Sequence, residues 1–128
     1  LNKIFKRIYF TYKEVCCKCG CNKFYGDENF LKKLLKFRII LDEPINPRSV
    51  YRCINHPKYS SNHDGHAIDV PCDLGNSNQR FRIIYAAIMA DFTRIGISYD
   101  YIHIDDSPKY NGTLKEKVLF LYDNIKND

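Results

Sequence analysis

The run GHAIDV at residues 65–70 decides how this chain is read. In an extended segment Ala67 and Asp69 fall on one face, and His66, Ile68 and Val70 fall on the other. A strand here therefore carries one carboxylate opposite a face suited to a core. The stretch before it, Ile54 to Gly65, is polar and irregular, with Pro57, Ser60, Ser61 and two Asn. Irregular segments on a fixed scaffold are where chemistry is usually presented. His56, His63 and His66, three of the four histidines, lie in or beside it, close to Asp64 and Asp69. Imidazole and carboxylate are both zinc ligands. The pattern is equally open to a metal site and to structural or exposed histidines.

Downstream, YDYIHIDD at 99–106 alternates again: Tyr99, Tyr101 and His103 share one face, Asp100, Ile102 and Ile104 the other. If His103 binds a metal from a strand, Asp100 lies just outside the strand repeat, at its mouth. A carboxylate there can take a proton from water attacking a carbonyl. The plainer alternative makes Asp100 a turn residue and Asp105 and Asp106 solvated strand ends.

Between these two runs, Ser77 is expected to cap a helix over 78–91 whose inward stripe is Phe81, Ile84, Tyr85 and Ile88. Gly96 is expected to turn the chain after it. Upstream, Asp27 caps a helix over 28–40 with Phe30, Leu31, Leu34, Leu35 and Phe37 on its apolar face, ended by Pro44 and Pro47. RSVYRC at 48–53 reads as a strand. IYFTYK at 8–13 reads as a short strand or an arm over the core, and CCKCGC at 16–21 as turn and loop. SPKYNG at 107–112 is a turn, and KVLFLY at 117–122 a short helix or strand. No repeat or linker divides residues 1–128, so the expectation is a single α+β domain with a small antiparallel sheet flanked by helices.

The composition fits a globular domain: 128 residues, 45% apolar, 27% charged. No run of eighteen apolar residues is present, which argues against a membrane span. LNKIFKRIYF at 1–10 is broken by Lys6 and Arg7, too interrupted for a signal peptide. The net charge of +5 is spread along the chain rather than blocked, so no nucleic-acid partner is expected. There is no GxSxG, P-loop, GxGxxG or HExxH motif. The six cysteines, Cys16, Cys17, Cys19, Cys21, Cys53 and Cys72, leave three states open: reduced thiols, disulfides or a second metal site. Cys16 and Cys17, being adjacent, point in opposite directions and are not expected to share one site. Cys53 with His56 or His63 is also a conceivable thiolate pair.

Taken together, SVYRC at 49–53, SNH at 61–63, GHAID at 65–69 and DYIHID at 100–105 resemble the zinc D-alanyl-D-alanine carboxypeptidase family. The similarity is to its small branch of phage lysins and bacterial cell-wall enzymes. YFTYKEVCCKCGC at 9–21 resembles the family's lead into a Cys-rich turn, so the likeness runs over about residues 9–107. It implies a LAS-type zinc peptidase fold with Zn2+ held by His63, Asp69 and His103, leaving a position open for water or substrate. It further implies Asp100 as general base and Arg52 as a catalytic and substrate-binding guanidinium, with His56 and Ser61 on the substrate cleft. The reaction implied is hydrolysis of a peptide bond involving a D-amino acid in peptidoglycan stem peptides. The bond is either the terminal D-Ala-D-Ala, cut by a carboxypeptidase, or L-Ala-D-Glu or a cross-bridge, cut by an endolysin-like endopeptidase. A monomer acting at the cell wall or periplasm is the corresponding expectation. One departure is visible. Only Asp64 separates His63 from Gly65 where the family has two residues, which leaves His66 as an alternative ligand, although alternation turns it away from Asp69. The competing reading is a non-catalytic zinc-stabilised binding or structural module.

Overall fold

The computed structural model describes residues 10–108 and 113–125. Its first element is a single helical turn, α1 (Tyr12–Val15), closed by a capping box: Glu14 N–H donates to Thr11 Oγ1, and Thr11 N–H donates to Glu14 Oε1 at 2.9 Å. Of the short strand or arm expected over 8–13, the described end forms no strand, because Thr-x-x-Glu overrides the aromatic pattern, while Phe10 is buried in the core. Residues 8 and 9 lie outside the described residues, as does most of the turn expected over 107–112.

Helix α2 (Glu28–Leu41) starts where Asp27 accepts from the Asn29 and Phe30 N–H groups. It stops at Asp42, whose left-handed backbone (φ 54°) lets its N–H donate to the Arg38 carbonyl just before Pro44. Phe30, Leu31, Leu34 and Phe37 are buried from it, while Lys32 stays wet. Phe30 and Phe37 each meet Phe92 edge-on at about 6 Å. Truncating either to Ala costs about 3–5 kcal/mol.

Four strands, β1 (Ala67–Pro71), β2 (Arg94–Ile97), β3 (Tyr101–Asp105) and β4 (Val118–Leu121), form one sheet in the order β1-β3-β2-β4. β1 and β2 run antiparallel to β3, but β4 runs parallel to β2. The sheet is thus mixed rather than antiparallel, a correction that comes from the last strand alone. Ile68, Val70, Ile95, Ile102 and Ile104 join the apolar faces of α2 and of helix α3 (Ser77–Met89) in one buried cluster. The alternate residues, Asp69, Gly96, His103 and Phe120, are on the opposite face, where Gly96 pairs with both His103 and Phe120.

Four further expectations need correction. Helix α3 is capped by Asn76, which accepts from Gln79 N–H, not by Ser77. Its buried residues are Ile83, Ala86 and Ala87, whereas Phe81, Tyr85 and Ile88 are exposed and Ile84 is half-buried. Small side chains let the helix approach its neighbours closely, so the bulky stripe is the one left outside, with Phe81 and Tyr85 stacked on each other. Gly96 lies within β2 rather than in a turn. A Cβ there would come within 2.5–2.8 Å of the Phe120 and Tyr122 rings, so a hydrogen is what fits. Finally, residues 48–53 form no strand beyond one bridge between Ser49 and Asp69. Past that bridge their backbone partners are the ends of short helical turns and not a strand: Tyr51 N–H donates to the carbonyl of Val15, which ends α1, and Arg52 N–H to that of His63.

Candidate metal centre

The β1–β3 register sets Asp69 directly opposite His103. A 3-10 turn, Ser61–His63, brings in the third member; Ser60 caps it by accepting from Asn62 N–H. His63, Asp69 and His103 are each only 3% exposed, and one ligand atom from each lies within 4.8 Å of the others. His63 Nε2 is 3.4 Å from Asp69 Oδ2, and His103 Nδ1 is 2.9 Å from Asp69 Oδ1.

The shortened link between His63 and Asp69 is accommodated at Gly65. Its φ of 120° is reached cheaply by glycine alone, and a Cβ would fall 2.6 Å from the Tyr25 ring. The tight turn swings His63 into the site, while His66 turns away to Asp106 at 3.3 Å; Asp106 is also paired with Lys33. Burial pushes the Asp106 carboxyl up, against the opposing pull of Lys33 and His66.

Each ring is aimed by a group behind it. His63 Nδ1 is 2.9 Å from the Val50 carbonyl, which can only accept, so Nδ1 carries the proton and Nε2 presents its lone pair to the cluster. His103 Nε2 is 2.6 Å from Asp105 Oδ2, leaving Nδ1 toward Asp69. Asp105 is fully buried and is held in turn by Arg94 Nη1 and by the Ser107 N–H. Burial alone would lower the His103 pKa, but the Asp105 and Asp69 carboxylates outweigh it and raise it to about 8. Burial likewise opposes ionisation of Asp69, and the hydrogen bond with His103, with the His63 ring close by, overcomes it, holding the carboxyl well below its ordinary range. Two buried carboxylates thus gather cationic partners around one point. Two imidazoles and a carboxylate so arranged fit a divalent metal ion.

The cluster lines a cavity of about 370 Å³ with Arg52, Ser60, Asn62, Arg94, Tyr101, Phe120 and Tyr122. Arg52 belongs to the site: Nη2 reaches Asp69 Oδ2 at 3.3 Å, while Nε donates to Ser49 Oγ and Nη1 to the Lys58 carbonyl. Ser61 is in the 3-10 turn, but the cavity wall is made by its neighbours Ser60 and Asn62. His56 lies in a turn, its Nδ1 accepting from Lys58 N–H, and does not line this cavity. Asp100 sits at an exposed bend before β3. Its carboxylate pairs with Arg48 Nη1 at 2.8 Å, which lowers its pKa, and it borders a neighbouring cleft with Pro71, Cys72, Asp73, Gln79 and Tyr99. The Arg48 guanidinium in turn lies 5.3 Å from the centre of the Tyr101 ring, on the rim of the metal cavity.

Several residues of the site were not singled out from the sequence. Asp105 lies behind His103 and not on the cavity wall; it had a legible signal, since in a strand His103 and Asp105 must share a face. Phe120 and Tyr122 had none, because their place depends on the parallel docking of β4. No protein-family model matches the chain, and no curated protein matches it. Fold and site together define a small α+β domain with a mixed sheet and a buried His/Asp cluster able to coordinate a metal ion. Among the described residues no helix is long and apolar enough to cross a membrane.

Proposed function

We propose that this chain is a zinc-dependent peptidase that hydrolyses a peptide bond involving a D-amino acid in peptidoglycan stem peptides. The observation that carries the reading is the convergence of His63, Asp69 and His103 within 4.8 Å on the wall of a cavity that also presents Arg52. Three protein ligands suit a catalytic metal, which needs a coordination position left open. The substrate class rests on the likeness of SNH, GHAID and DYIHID to the zinc D-alanyl-D-alanine carboxypeptidases.

When bound, Zn2+ supplies Lewis acidity toward a carbonyl oxygen and toward water. Arg52 offers a guanidinium fork to a substrate carboxylate or to the oxyanion that develops at the scissile carbonyl. Val50 and Asp105 fix the two imidazoles, so the ligand geometry is set before substrate arrives. Asp100 is the proposed base. Its pairing with Arg48 lowers its pKa, which keeps it a carboxylate but weakens it as a base for as long as the pair holds. To act it leaves Arg48 and turns past Tyr101 toward the cavity, takes a proton from the attacking water, and passes it to the amine as the C–N bond breaks.

The test is incubation of the zinc-loaded full chain with stem peptides, reading products by mass spectrometry. Free D-Ala identifies a carboxypeptidase; an internal fragment identifies an endopeptidase. Asp100→Asn is expected to lower turnover about 10²–10⁴-fold with metal content unchanged; equal activity removes Asp100 from the mechanism. The Arg48–Asp100 ion pair favours one second reading, a zinc-stabilised binding module. Metal-loaded protein that retains stem peptides without cutting them would establish that instead.

A further inference from the structure

A second convergence of ligand atoms lies outside this site. Cys17, Cys19, Cys21 and Cys53 offer four sulfurs that all lie within 4.8 Å of one another. Cys19 Sγ and Cys21 Sγ are 3.5 and 3.8 Å from Cys53 Sγ. A tetrahedral ion with metal–sulfur bonds of about 2.3 Å separates its sulfurs by roughly 3.8 Å, a spacing that the Cys19–Cys53 and Cys21–Cys53 pairs approach. All four are free thiols.

The backbone is shaped to this end. Gly20 and Asn22 adopt left-handed conformations, φ 101° and 58°, which curl the chain so that alternate residues 17, 19 and 21 turn their thiols inward. Backbone N–H groups point at the sulfurs: Cys53 N–H to Cys17 Sγ and Lys23 N–H to Cys21 Sγ, both at 3.4 Å. Such donors favour thiolates, the form that binds metal. The other two cysteines are excluded: Cys16 Sγ donates to the Lys13 carbonyl and Cys72 Sγ to that of Asp73. A Cys-x2-Cys pairing of Cys16 with Cys19 is therefore not what the fold makes; the unit is Cys-x-Cys-x-Cys joined to a distant Cys53.

We propose that Cys17, Cys19, Cys21 and Cys53 bind one structural Zn2+ as a closed tetrathiolate site that anchors the wall of the metal cavity. Four like thiolates in a tetrahedron select a soft-accepting ion such as zinc and leave no position for substrate. Cys53 follows Arg52 directly, and the same run supplies the Val50 carbonyl that orients His63. The ion ties this run to the segment just after α1, and its existence does not depend on whether the His63 cluster is catalytic.

The test separates the two centres with a His63→Ala/His103→Ala double variant of the full chain, loaded with zinc and freed of excess. The expected result is one zinc per chain with an X-ray absorption shell of four sulfurs at about 2.3 Å. Cobalt(II) in its place should show thiolate-to-metal charge-transfer absorption. A Cys17→Ser/Cys53→Ser variant should lose that ion and retain one with nitrogen and oxygen neighbours only. Should that cysteine variant fail to fold, zinc-loaded wild type decides, with two ions per chain and sulfur in its averaged shell. A sulfur-free shell in the histidine variant, or no bound zinc there, overturns the proposal. So does a mass lower by two hydrogens with Cys19 and Cys53 joined, which would make the cluster a redox cross-link.

Discussion

The two ligand clusters are built on opposite plans. His63, Asp69 and His103 are three unlike ligands, two of them on paired strands, each with its own partner behind it: Val50, Arg52 and Asp105. One side of that cluster faces a cavity. The four cysteines are identical ligands on irregular backbone, oriented by turn geometry and by N–H groups, and they close around a point. The difference teaches that coordination number and support decide what a metal can do: an open three-ligand site can host chemistry, and a closed four-ligand site can only staple.

The comparison breaks most decisively at His103. His103→Ala is expected to abolish turnover and the metal at its own site while leaving the thiolate ion bound. In chelator, where no cation replaces the ring, Asp69 and Asp105 are left buried without it. We expect a stability loss of about 3–5 kcal/mol, read by denaturant titration. Asp105→Asn comes next. An amide can still accept from His103 Nε2 but lacks the charge, and metal affinity at the histidine site should fall about 10–100-fold. Competition with a calibrated chelator measures this, and excess zinc should restore activity. Gly96→Ala drives a methyl into the Phe120 and Tyr122 rings and should cost about 1–3 kcal/mol, with the loss seen in thermal unfolding. Gly20→Ala is the smallest. A Cβ there meets nothing within 4 Å, so only the left-handed backbone is penalised, by about 1 kcal/mol. Its effect should appear in zinc retention by the thiolates and not in turnover at saturating zinc.

The strands that carry the ligands were legible because strict alternation identifies a face from sequence alone. GHAIDV and YIHID each gave their buried and site faces correctly, and Asp69 and His103 meet as that alternation allows. Helix α2 was legible through its cap and its broad apolar face. Helix α3 was placed correctly, but its orientation was not. Apolar periodicity weighs Phe and Tyr above Ala, whereas close approach favours Ala86 and Ala87 at the contact. Gly96 and β4 were misread or left open because a glycine in a strand and a parallel edge strand draw their reasons from each other, far apart in sequence. The cysteine tetrad was hidden for a related cause: Cys53 is separated from Cys17, Cys19 and Cys21 by the whole of α2, and only the fold returns it to them.

The extended run from Ser49 to Cys53 belongs to both clusters at once. Ser49 bridges to Asp69, Val50 holds the His63 ring, Arg52 touches Asp69, and Cys53 completes the thiol tetrad. Binding at either end that orders this run reduces the disorder the other must overcome, and such linkage is reciprocal: whatever factor one ion adds to the affinity of the second, the second adds to the first. Loss of either ion should accordingly loosen the hold on the other without expelling it, so that the remaining centre yields its metal to a weaker chelator than it does when both are filled.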